Sequence, residues 1–335
     1  MRKYFVTGYI GEGAKRMFRD LEHQEQIVLL ENIIPQKWKR FVFFRFEHFT
    51  KGFRHFNWLK KYFYRWYSVF RVKNPKNGCF VFVNSLFVSL YDAEMLERLK
   101  EKYPEAKMVL YIVDPMEGFC SEDNWRVISK MDLVYSVHQS DCEKYGFQYH
   151  PLVYSASSEI QKKCPLEVKD TDLYYLGSGS DRTAYLARIA KYCKRIGVQT
   201  EFHVVSGHSQ MTEQEGIQFH TEPLPYEENE RMICSSKCIL ELMHEGFQGA
   251  TQRYMEAVLY GKKLMTNNER VKELPFYRPE YMQVFHSEEE ICQDFICTEE
   301  KIDYGYRGEF SPIHLIEEIE RQLASKTCDS AVNNE

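Results

Sequence analysis

The residues with the most chemical content lie between His244 and Asn268. In His244-Glu-Gly-Phe-Gln-Gly-Ala-Thr-Gln-Arg-Tyr-Met-Glu256, glycines at 246 and 249 let a ligand approach the backbone closely, and Thr251 opens a predicted helix. On that helix Gln252, Arg253 and Glu256 share a polar face at i, i+1 and i+4, while Tyr254, Ala257 and Val258 cover the other face. A guanidinium one turn before a carboxylate combines a phosphate clamp with an acceptor for sugar or ribose hydroxyls. The alternative for the same pair is an ordinary Arg-Glu contact on a solvated face. A second candidate is Gly177-Ser-Gly-Ser-Asp-Arg182, read as a turn between strand and helix. Backbone N–H groups and the helix dipole favour an anion such as a diphosphate there, and Arg182 adds a bidentate donor. The turn departs from the dinucleotide fingerprint, because Arg182 replaces the third glycine and no acid closes the next strand at Val205-Ser206. A tight turn that needs small residues is its alternative. Asp114 and His138 each follow a strand and are candidate bases; an Asp before Pro also forms turns, and His138 also suits a cap for the turn of Asp141.

These residues must be positioned by elements, and the apolar pattern predicts them. Strands are expected at Lys3 to Thr7, Cys79 to Asn84, Met108 to Val113 and Leu133 to Ser136, with helices at about Ala14 to Leu21 and Asp92 to Tyr103, where Asp92 is the N-cap. The first strand runs into a turn carrying Gly8, Gly11 and Gly13. After a break between about 155 and 170, a second series begins. It contains strand Asp172 to Leu176, helix Thr183 to Ile196 closed by Gly197, strands Glu201 to Val205 and Cys238 to Leu242, helix Thr251 to Tyr260, Gly261, and strand Lys263 to Thr266. Alternating strands and helices predict parallel, doubly wound sheets, which collect ligands at the carboxyl ends of their strands. The expected organisation is an α/β chain of two Rossmann-like domains. They are residues 1–158, a linker at 159–170, a domain at 171–310, a C-terminal helix at 311–327 opened by Ser311-Pro312, and a disordered tail at 328–335.

Composition narrows the class. The chain has 335 residues, 44% of them hydrophobic, enough for two cores, and no run reaches the roughly 18 apolar residues that cross a bilayer. A cytoplasmic protein is expected, with its ten scattered cysteines reduced and no zinc-site spacing. The net charge of −5 hides a basic excursion at 37–73, where eleven Lys and Arg face one acid, Glu47, among fifteen aromatics. Such a segment suits the inner face of a membrane, where the chain would be peripheral. It also suits single-stranded nucleic acid, the less favoured partner, or a helical excursion that buries its rings and solvates its charges.

Ile239 to Asn268 resembles the donor-site signature of bacterial surface-polysaccharide glycosyltransferases of the GT-B fold, those of lipopolysaccharide and capsule biosynthesis. Asp172 to Arg182 is similar to the first strand and loop of their C-terminal domain, and Val134 to Gly146 to a recurrent stretch of the N-terminal one. The resemblance covers residues 105–270 well and the first hundred loosely. It implies a metal-independent glycosyltransferase without cofactor, which takes a nucleoside-diphosphate sugar as donor and a glycan, lipid-linked, as acceptor. Glu256 would then hold the donor ribose, Arg253 the diphosphate, and Glu245 or the 246–251 backbone, with Gly249 and Thr251, the sugar. One departure concerns Glu245: ten residues separate it from Glu256, where the common retaining signature has seven between its glutamates. Retention or inversion is therefore left open. The alternatives are a sugar-nucleotide epimerase of the same fold and a non-catalytic module that grips nucleic acid or membrane.

Overall fold

The computed structural model describes residues 2–8, 12–50, 59–73, 75–83, 91–155, 164, 170–178, 182–205, 216–243 and 249–332. It divides into two compact units: Met1–Ser155 with Ser311–Glu335, and Ala156–Phe310.

The first unit is built on six parallel strands: β1 (Tyr4–Thr7), β2 (Ile27–Leu30), β3 (Cys79–Val83), β4 (Lys107–Ile112), β5 (Leu133–Ser136) and β6 (Gln148–Tyr149), in the order β2-β1-β3-β4-β5-β6. Every residue of Cys79–Val83 is buried, as expected of a parallel strand covered on both faces. Helices α1 (Glu12–Met17), α2 (Lys37–Thr50), α3 (Ala93–Lys102), α4 (Glu122–Ile128) and α5 (Gln139–Tyr145) connect the strands. Asp92 caps α3 by accepting from the Met95 N–H at 2.9 Å, and Met95, Leu96 and Leu99 turn into the core. Gly8 closes β1 with φ +94°, and a side chain there would strike the Val83 carbonyl of β3. Of the rest of the expected glycine turn, Gly11 lies outside the described residues, and Gly13 falls within α1 rather than in a turn.

The basic aromatic excursion divides between inside and outside. Phe43, Tyr64, Tyr67 and Val69 join the same core as Phe80, Phe82 and Leu96, so part of the segment is an ordinary structural element. Trp38, Phe41, Val42, Phe44 and Tyr62 stay exposed.

The second unit repeats the layer with β7 (Thr171–Ser178), β8 (Thr200–Val205), β9 (Ile217–His220), β10 (Ser236–Glu241), β11 (Lys263–Thr266) and β12 (Met282–Val284), all parallel in the order β12-β11-β10-β7-β8-β9. Its helices are α6 (Thr183–Arg195), α7 (Tyr226–Ser235), α8 (Gln252–Tyr260) and α9 (Gln293–Cys297). Leu186, Ile189, Ala190 and Cys193 of α6 are buried at the expected helical spacing, each large apolar side chain contributing about 1.5–3 kcal/mol. The sheet order reverses between β7 and β10, so the crevice at their carboxyl ends is the topological switch point of this unit.

Three expectations are corrected. Gly177 and Ser178 are the last residues of β7, paired with Val204 and Val205, and do not begin a turn. The Tyr175 hydroxyl occupies the space that a side chain at Gly177 would take. The last helix, α10 (Pro312–Val332), runs past 327 and takes in most of the expected tail. It belongs to the first unit, where Leu315, Ile316, Ile319 and Leu323 are buried, Ser311 donates to Asp20 at 2.7 Å and Arg2 pairs with Glu320 at 3.0 Å. The cysteines are not all reduced: Cys164 and Cys234 form a disulfide in the second unit. Their separation of 70 residues hid the pair from any spacing argument.

Candidate functional site

The switch point of the second sheet gathers most of the candidate residues. Arg182, at the N-terminus of α6, spans the crevice: Nη1 donates to the Leu242 carbonyl beyond β10 at 2.8 Å, and Nη2 donates to the Ser178 hydroxyl at the end of β7 at 2.8 Å. The guanidinium is therefore held between the two strands where a ligand would approach. Gly249, with φ +131°, has open space where a side chain would stand, and its carbonyl accepts from Asn268 Nδ2 at 3.1 Å. His244 and Glu245 lie outside the described residues.

Thr251 is the N-cap of α8, its hydroxyl accepting from the N–H groups of Arg253 and Tyr254 at 3.1 and 3.2 Å. The same hydroxyl donates to Glu241, the last residue of β10, whose other oxygen accepts from Thr266 at the end of β11. Glu241 thus clips two strand ends to one helix start. It is almost wholly buried, and that burial raises its pKa above the ordinary carboxylate value, with the two threonine hydroxyls opposing the shift. Sequence reasoning passed over Glu241 as a strand residue. Its signal, a carboxylate closing an apolar strand, is too common to stand out.

Arg253 and Glu256 form the centre of the site. They are a buried ion pair, contrary to a solvated-face contact: Glu256 is fully buried and the Arg253 side chain is 17% exposed. Arg253 Nη1 donates to Glu256 and, at 3.3 Å, to Asn229 Oδ1, while Glu256 Oε1 accepts from the Tyr226 hydroxyl at 3.1 Å and Asn229 Nδ2 at 3.2 Å. Tyr174 of β7 donates to Asn229 Oδ1 at 2.8 Å and completes the network. Burial is the largest influence on Arg253 and works against its charge, but the Glu256 carboxylate together with Tyr174, Tyr226 and Tyr175 outweighs it, so its pKa is raised. Tyr226 and Asn229, both on α7, were not among the candidates. They precede Glu256 by about thirty residues, and only packing of α7 beside α8 brings them to it. Chemically, the arrangement offers a fixed carboxylate and a guanidinium, with the hydroxyls of Tyr226 and Tyr174 in the same network.

In the first unit, Asp114 and His138 meet at one rim. Asp114 follows β4 and is exposed, and His138 precedes α5 with its Nε2 donating to the Val113 carbonyl at 3.1 Å. Asp141, one turn on, is buried and accepts from the Met116 N–H at 3.0 Å, which ties the loop after Asp114 to α5.

No family model matches the chain, and no curated protein does either. Solved structures do. Anabaena HepE in complex with UDP and glucose aligns with a TM-score of 0.51 at 11% identity, over 97% of this chain and 100% of that one. An alpha-glucosyltransferase bound to UDP and a 13-mer DNA aligns with a TM-score of 0.47 at 9% identity, over 78% of each chain. A Gap123 complex chain from Streptococcus agalactiae aligns with a TM-score of 0.41 at 9% identity over 77% of this chain, which spans 54% of that chain's length. The two parallel six-stranded sheets and the HepE likeness together give the fold: an α/β chain of two Rossmann-like, doubly wound units with a C-terminal helix, the GT-B architecture.

Proposed function

We propose that this chain is a glycosyltransferase that binds a nucleoside-diphosphate sugar at the switch point of its second unit. The observation that carries the reading is the buried Glu256, fixed by Arg253, Asn229 and Tyr226. A carboxylate held in this way accepts ribose hydroxyls in fixed geometry, and the preset network lowers the ordering cost of binding. Arg182 at the crevice and the cap of α8 at Thr251 supply positive potential for a diphosphate. HepE was solved with UDP and glucose, which favours the same donor class here. The departing diphosphate is stabilised by these groups without a resident metal, and Asp114 or His138 serves as the base toward an acceptor hydroxyl. The acceptor is a surface glycan, lipid-linked, as the resemblance of residues 239–268 implies.

The test is a calorimetric titration of the full chain with UDP and other nucleoside diphosphates, repeated for Glu256→Gln. Gln keeps the volume of the buried site and an acceptor for Arg253, whereas Ala would also open a cavity; either change removes the charge that compensates Arg253. Binding weakened about tenfold or more in Glu256→Gln, at unchanged circular dichroism, supports the site. No binding of any nucleoside diphosphate, or an unaltered affinity, ends the proposal. Incubation with nucleotide-sugar alone, with and without a chelator, separates transfer from epimerisation and tests metal independence.

A further inference from the structure

Large apolar side chains left in water are few, and here they are concentrated. Among the described residues the exposed ones are Trp38 (63%), Phe41 (68%), Val42 (41%), Phe44 (45%), Tyr62 (56%) and Tyr149, so five of six fall within the basic excursion. Four of those five lie on α2. Its Phe43 turns into the core at 1% exposure, and the residues around the opposite side of the helix face solvent. Lys37 and Arg45 are exposed on that outer side, and the stretch from 37 to 46 holds no carboxylate. Lys39 lies 5.3 Å from the Trp38 ring centre and 5.5 Å from that of Trp66, so its charge sits over the aromatic cluster.

We propose that the outer face of α2 is a docking surface for an anionic phospholipid layer. The helix lies along the surface with Trp38, Phe41 and Phe44 at the acyl boundary, and Lys37, Lys39 and Arg45 reach the headgroup phosphates. No described helix is long and apolar enough to cross a membrane, so the contact is superficial. Charge complementarity selects this partner, since cations interleave the rings and no acid opposes them before Glu47. Nucleic acid fits less well. Val42 has no ring to stack on, and the Lys39 charge already stands over the Trp38 ring. The proposal rests on the first unit alone and is independent of the nucleotide site.

The experiment is co-sedimentation of the full chain with phosphatidylcholine vesicles containing about a quarter phosphatidylglycerol, against phosphatidylcholine alone. The expected result is binding to the anionic vesicles that falls as salt rises. Lys37→Gln with Arg45→Gln should weaken it about thirtyfold, and the triple change Trp38→Ser, Phe41→Ser, Phe44→Ser should abolish it. Both variants replace exposed side chains, so circular dichroism and UDP titration should match the parent. Absence of vesicle binding overturns the proposal. So does binding to a single-stranded oligonucleotide that the variants lose while vesicle binding persists. A dimer, seen by light scattering, that the triple variant dissolves without loss of vesicle binding also overturns it, because the face then joins two copies.

Discussion

Glu241 shows how much one buried carboxylate can organise. It is bonded to Thr251 and Thr266, so the ends of β10 and β11 and the start of α8 move together. Its pKa is raised by burial, so protonation favours the folded state. The associated stability is full below the ordinary carboxylate value and is lost as pH rises through the folded value. Glu241→Gln removes the ionisation and still offers a partner to each hydroxyl. It should be at least as stable as the parent at neutral pH in urea titrations, whereas Glu241→Ala should lose about 1–3 kcal/mol. Equal losses in both variants would mean that the ionised carboxylate itself is required. Arg253 and Glu256 behave differently, since either left alone is an uncompensated buried charge.

At the scale of elements, α8 is defined at both ends. Thr251 caps its N-terminus, and Gly261, with φ +57°, closes it in the left-handed region before β11. The cap also sets the rotation of the helix, which points Arg253 and Glu256 toward Tyr226 and Asn229 on α7. Thr251→Val should cost about 1–2 kcal/mol and accelerate amide exchange at Arg253 and Tyr254, while Thr251→Ser should retain most of the protection. Hydrogen exchange by mass spectrometry on α8 checks this; equal exchange in both variants would show that Glu241 and packing hold the helix without the cap.

For the molecule as a whole, two units with separate cores need not share one stability. The Cys164–Cys234 bridge lies in the second unit, and Cys79, Cys120 and Cys142 of the first are free. Closing 70 residues restricts the unfolded second unit by about 4 kcal/mol in the chain-entropy account. Reduction, or Cys164→Ser, should therefore lower one calorimetric transition and leave the other in place. Two transitions that shift together, or neither shifting, would contradict that assignment.

The sequence by itself determined the α/β class, the two sheets and most of their strands, because buried parallel strands such as Cys79–Val83 are continuous apolar runs between helices of clear periodicity. It also determined the caps at Asp92, Thr251 and Gly261, whose chemistry is local. Only the tertiary structure decided what surrounds Glu256. Tyr226, Asn229 and Tyr174 come from other elements, and an i, i+3 pair on a helix reads the same whether it faces water or a neighbouring helix. The same limit hid the Cys164–Cys234 bridge, the clip at Glu241 and the division of the basic excursion into rings that fill a core and rings that face outward. Local pattern records which residues can pair or be buried; long-range packing selects which of them do.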